Sequence, residues 1–134
     1  MRFAILVFAC LVLAAPAAQA GVPRSFVGLY GDDAFFGGSD YRQQQFGMEA
    51  RLGVGIVRQP FEWSRVERTQ GHYDFSTYDA FVADAAASGE SVLPMLISPP
   101  SLWSSRPASS TSRAMFPPSS NAAYARFVGA AVRR

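Results

Sequence analysis

Apolar and polar positions along this chain change spacing six times, and each change marks an element. Phe26-Val27-Gly28-Leu29-Tyr30 is a run of strand formers and predicts a first strand. Gly31-Asp32-Asp33 and Gly37-Gly38-Ser39 supply the loop that follows. A helix is expected from Tyr41 to Leu52, capped by Asp40, with Met48 and Leu52 on one face and Gly53 as its stop. Gly55-Ile56-Val57-Arg58 predicts a second strand closed by Pro60. Ser76-Thr77-Tyr78-Asp79 has the spacing of a capping box. Tyr78, Phe81, Val82 and Ala85 then fall on one helical face, and Gly89 ends the helix. Ser91 to Ile97 is apolar on both faces, as in a parallel strand under helices, with Pro94 as the exception. A loop rich in proline and serine runs from Ser98 to Ser120. Tyr124, Phe127, Val128 and Ala131 repeat the helical spacing, with Ser120 or Asn121 as cap.

The order is strand, helix, three times over. Such alternation predicts an α/β fold with right-handed crossovers and a parallel sheet. A doubly wound sheet and a (β/α)8 barrel both begin this way. The first strand-to-helix loop lacks G-x-G-x-x-G, which removes the main support for a dinucleotide fold. No G-x-S-x-G elbow is present, and a Ser-His-Asp hydrolase is not expected.

The first twenty residues have a different pattern. Arg2 precedes a continuous apolar run from Phe3 to Ala15 that includes Cys10, and Ala18-Gln19-Ala20 places small residues at a cleavage site. This is the layout of a secretory signal peptide, and the run is too short to span a bilayer. Residues 1–20 are therefore expected to be removed after Ala20. Residues 21–134 would then be released outside the cytoplasm, with no membrane attachment. That part has no cysteine, so its fold must rest on a packed core. Its charged residues nearly balance and form no basic run, which leaves a nucleic-acid footprint without support. His72 stands alone among possible soft metal ligands, so neither a metal site nor another cofactor is expected.

Ligands of parallel α/β folds meet the carboxyl ends of the strands. Three loops lie there: Tyr30 to Ser39, Arg58 to Gly71, and Ser98 to Ser120. They carry both tryptophans, Trp63 and Trp103, together with Phe35, Phe36, Phe61 and several acids and arginines. Flat aromatic surfaces beside fixed charges suit a sugar ring, which has apolar faces and a polar rim. Glu62 and Glu67 belong to the second loop and are expected to be structural. Asp74 and Asp79 are expected in a turn and a cap.

Five stretches carry a more specific signal. They are Leu52-Gly53-Val54-Gly55-Ile56-Val57-Arg58, Phe61-x-Trp63-Ser64-x-Val66-Glu67, Gly71-His72-Tyr73-Asp74-Phe75-Ser76-x-x-Asp79, Val92-Leu93-Pro94 and Pro99-Pro100-Ser101-Leu102-Trp103. In order and spacing they resemble the amino-terminal part of clan A glycoside hydrolases, the group that includes cellulase-like family 5, family 39 and family 42 enzymes. The resemblance implies three βα units of a (β/α)8 barrel that hydrolyses O-glycosyl bonds with retention. It implies an oligo- or polysaccharide substrate and two catalytic glutamates roughly 5 Å apart. In the family these glutamates end the fourth and seventh strands, so both are expected beyond Arg134 and neither in this chain. A full barrel needs about 250 residues. On this reading residues 21–134 are an incomplete, inactive part of a catalytic domain. Arg58 would hydrogen-bond the nucleophilic carboxylate, and Trp63 and Trp103 would shape the sugar site. Two other readings stand beside it: a secreted carbohydrate-binding or interaction protein that does not cleave, and a small doubly wound domain of unrelated function.

Overall fold

A computed structural model describes residues 21–111 and 115–134. The signal peptide expected over residues 1–20 lies outside the described residues. The described chain is α/β. Three strands, β1 (Gly28–Tyr30), β2 (Ile56–Glu62) and β3 (Ser91–Ile97), form one parallel sheet in the order β1-β2-β3. The helices are α1 (Asp33–Phe36), α2 (Ser39–Arg51), α3 (Trp63–Val66), α4 (Ser76–Ala87) and α5 (Asn121–Val132). Short 3-10 turns cover Arg24–Phe26 and Ser101–Trp103.

Register divides the sheet into two unlike faces. Val57 pairs with Val92, and Phe61 with Leu96. All four pack with Phe46 of α2, Tyr78, Phe81 and Ala85 of α4, and Ala123 and Phe127 of α5. The long helices therefore all cover one face. This follows from the topology, because right-handed crossovers between strands added in sequential order always return on the same side. A doubly wound sheet needs a reversal of strand order to place helices on both faces, and the described strands contain none. The opposite face carries Tyr30, Arg58, Leu93, Pro60, Met95 and Ile97, with Tyr30 at 56% and Leu93 at 54% exposure.

Several local expectations need correction. The second strand does not close at Pro60 but continues through it to Glu62. β1 runs out opposite Arg58, so beyond that point β2 has a strand on one side only. Proline is tolerated in such a stretch. β3 lies at an edge of the described sheet, and its pairing likewise runs through Pro94. The first strand is shorter than expected, because Arg24–Phe26 forms a 3-10 turn ahead of it. Helix α2 begins at Ser39 behind Gly38, so Asp40 lies in its first turn and does not cap it. Its buried residue is Phe46, and Leu52 is exposed. The capping box at Ser76 does not form. Asp74 accepts the Ser76 N–H at 2.9 Å instead, which holds the Asp74 carboxyl below the usual range.

Other stops are as expected. Gly53 and Gly89 both have positive φ, 84° and 77°, just past the ends of α2 and α4. Ser120 caps α5, its hydroxyl accepting the Ala123 N–H at 3.2 Å. Such a cap contributes about 1 kcal/mol.

Candidate functional site

The carboxyl end of the sheet is where the polar side chains meet large rings. β1 ends at Tyr30, and Arg58 of β2, its register partner, lies over the Tyr30 ring at 5.5 Å. Arg58 is exposed on the helix-free face and has no ion pair among the described residues. It sits within β2, with four further strand residues beyond it, and not at the strand terminus that the sequence suggested. Glu62 is the last residue of the strand. Its carboxylate accepts from Arg65 Nε at 2.7 Å, and its backbone N–H donates to Tyr78 Oη at 2.8 Å. Arg65 also lies 5.5 Å from the centre of the exposed Phe36 ring. Burial, above all, raises the Tyr78 phenol above its ordinary value.

Helix α3 follows β2 without a break and turns Trp63 inward. Trp63 is 1% exposed and stacks on Phe127, with Tyr124 beside it. Its ring is therefore unavailable to stack on a sugar, and any contribution it makes to a site is through support. Trp103 lies in the 3-10 turn after β3 and is half-buried, with the Arg126 guanidinium 6.0 Å from its ring centre.

Both tryptophans meet the same carboxylate. Trp63 Nε1–H donates to Glu67 Oε2 at 2.5 Å, and Trp103 Nε1–H reaches Glu67 Oε1 at 3.4 Å. The Gly71 N–H donates to Oε1 at 2.6 Å. Glu67 is 3% exposed, and these three donors supply the hydrogen bonds that a buried carboxylate requires. Tyr73 is adjacent, and its phenol is pushed up first by burial and then by the Glu67 charge. The structural role expected of Glu67 holds, and it reaches further than the sequence indicated. The spacing of Trp63 and Glu67 on one turn was visible; the third partner, on another loop, was not.

The backbone after β3 has one unusual residue. Ser98 takes φ of 53°, a conformation that costs a non-glycine residue on the order of 1 kcal/mol. Its carbonyl accepts the Ser64 N–H at 2.9 Å, which ties the loop after β3 to α3. Ser98 and Pro99 border an open cavity of about 660 Å³, lined also by Ser104, Arg106 and Phe116.

A carboxyl pair lies at the opposite end of the sheet. Glu90 immediately precedes β3, and Glu49 lies near the end of α2. Glu90 is 4% exposed, and no donor reaches either of its oxygens or Glu49 Oε2. A proton shared between the two carboxyls pairs one oxygen of each and leaves one Glu90 oxygen without a donor. Burial first, and then the neighbouring Glu49 charge, push the Glu90 carboxyl up to about 7, with Arg24 opposing. Burial raises Glu49 as well. Sequence reading did not find this pair, whose members come together only when α2 packs beside α4, the helix that leads into β3. Glu90 precedes β3, while Glu49 also lines a small cavity with Tyr30, Gly31 and Asp33 at the end of β1. Among the described residues no group of three or more His, Cys, Asp or Glu is placed to hold a metal ion. No described helix is long and apolar enough to cross a membrane.

No protein-family model matches this chain, and no curated protein matches its sequence. Among solved structures it is similar to a beta-galactosidase from the psychrophilic Marinomonas ef1, with a TM-score of 0.46 and 21% identity over 57% of this chain. The matched part is 12% of that chain's length.

Proposed function

We propose that this chain forms the first three βα units of a (β/α)8 glycoside hydrolase, exported after loss of residues 1–20. The parent enzyme acts on a β-linked oligo- or polysaccharide by double displacement. One observation carries the reading: three parallel strands in sequential order, with every long helix on one face and Arg58 on the other. A sheet wound in this sense curls, and its helix-free face becomes the interior of a barrel when further strands are added. Arg58 then points inward, below the ends of the strands. Lacking an ion pair among the described residues, its guanidinium is free to take a carboxylate supplied by a later strand, and a cation there favours the ionised form that a nucleophile needs.

The division of labour follows from the same geometry. Retaining hydrolysis requires two carboxyl groups roughly 5 Å apart, one donating a proton to the leaving oxygen and one attacking the anomeric carbon. The described carboxyl end offers Glu62, held by Arg65, Glu67, bound by three donors, and Asp32 and Asp33 after β1, with Asp32 accepting from Tyr30 Oη at 3.4 Å. Neither glutamate is a free acid or nucleophile. The Glu49–Glu90 pair lies at the wrong end of the strands. The catalytic pair therefore belongs to later strands, and this part of the barrel supplies Arg58, Trp103 and the loop framework.

The test is to read the coding sequence downstream of Arg134 and assay its full product. About 200 further residues bearing two strand-end glutamates, with covalent labelling of one by a 2-fluoro glycoside, is the expected result. A full product that lacks such glutamates, or that hydrolyses no β-glycoside, overturns the proposal. The half-buried Trp103, between Ser101 and Ser104 of the cavity lining, favours one second reading, a secreted saccharide-binding protein. That reading expects stable, saccharide-dependent tryptophan fluorescence from residues 21–134 alone.

A further inference from the structure

The geometry points to Glu67 as a positioning residue that sets Trp103, and with it the loop after β3, for saccharide recognition. The functional half of this statement rests on the saccharide reading above; the anchoring half does not.

Glu67 lies at the end of α3, in the loop after β2, while Trp103 lies in the loop after β3. A parallel sheet brings both loops to its carboxyl end but does not fix one against the other. Two hydrogen bonds among the described residues do so. Ser64 N–H donates to Ser98 O, and Glu67 reaches Trp103 Nε1. Glu67 is itself immobilised, because Trp63 and the Gly71 N–H hold both of its oxygens in a buried site. It therefore acts as a rigid acceptor presented to Trp103. From the other side, the Arg126 guanidinium of α5 lies against the Trp103 ring, and the Trp103 carbonyl accepts the Ser119 N–H at 2.6 Å. The indole is thus held at its edge by a carboxylate, at its face by a cation and at its backbone by the returning loop. An aromatic ring immobilised before a ligand arrives loses less entropy on stacking, which is how such a residue gains affinity without a new contact. Of the two tryptophans, only Trp103 retains exposed ring surface for this purpose.

Residues 21–134 contain two tryptophans, both on Glu67, so two indole N–H resonances report the arrangement directly. The first measurement uses the unaltered chain. Trp103 Nε1–H is expected to exchange with solvent at least about tenfold more slowly than a free indole; exchange at the free rate overturns the anchor. The second uses Glu67→Gln, which keeps the shape but replaces one acceptor oxygen with a donor. Both indole resonances should move, and Trp103 should become more accessible to a neutral quencher. Movement of the Trp63 resonance alone shows that Glu67 serves only α3 and sinks the proposal. If Glu67→Gln fails to fold, the exchange measurement on the unaltered chain still decides the anchor. Arg126→Met, read by the same Trp103 resonance, tests its cationic side. Binding is titrated separately with a soluble β-1,4-linked oligosaccharide on the full-length product. Saccharide that binds that product and its Glu67→Gln form equally overturns the positioning role. Absence of binding to the unaltered product overturns the saccharide reading and leaves the anchor standing or falling on the resonances.

Discussion

Trp63 and Phe127 lie ring on ring, with centroids 5.1 Å apart and planes 7° from parallel. One belongs to the turn after β2 and the other to the helix after β3. The contact therefore locks two successive βα units together. Phe75 adds a second ring almost parallel to Phe127, at 6.4 Å.

Phe127→Ala is expected to cost about 3–5 kcal/mol, because the ring is wholly buried and its neighbours are themselves rigid aromatics that close poorly over a cavity. Denaturant unfolding followed by far-UV circular dichroism measures this. A loss below about 1 kcal/mol would show that α5 is not part of the core.

How much of this was legible beforehand depends on the range of the interaction. The helical face at Tyr78, Phe81, Val82 and Ala85 and the Ser120 cap depend on neighbours within two turns, and they appear as expected except that Val82 is exposed. Pro60 misled, because a proline ends a strand only where its missing N–H is needed, and sequence does not reveal that β1 runs out opposite Arg58. The same limit hides the function of Glu67, whose partner Trp103 is 36 residues away. Glu90 carries no signal of its own in the sequence, because Glu49 meets it only once α2 is folded.

The Glu49–Glu90 pair makes stability depend on pH in a defined direction. Unfolded, Glu90 loses its proton near 4.5; folded, it keeps it to about 7. Between those values the folded chain binds more protons than the unfolded one, so this group's contribution falls as pH rises from about 4.5 through about 7. The full loss is on the order of 3–4 kcal/mol at 1.4 kcal/mol per unit. Arg24 and Glu49 are the charged groups that influence Glu90. Unfolding free energies at pH 5.5 and pH 8 should show the unaltered chain losing stability at the higher pH, and Glu90→Gln losing much less. Equal losses in the two chains would rule out the shared proton.

The helix-free face of the sheet has a consequence for behaviour in solution. Leu93 and Tyr30 are more than half exposed on a parallel sheet, a surface that such sheets normally bury. Residues 21–134 alone should bind an apolar dye and self-associate as concentration rises. Leu93→Lys should weaken both without affecting the helix-covered core. Light scattering that shows a monomer at all concentrations would contradict this account.

The sequential winding also bears on how the sheet assembles. Register partners on adjacent strands are separated by roughly thirty residues at each step. Each closure therefore carries a similar entropic cost, and no strand must wait for a distant segment before it pairs. Such a sheet can grow stepwise from its amino-terminal end, one crossover at a time, and at each pause a single new rim is left bare. At the third step that rim is β3, and a proline occupies the middle of it. Pro94 lacks one of the backbone donors that a foreign strand would use, so the half-built sheet meets its surroundings with an imperfect template.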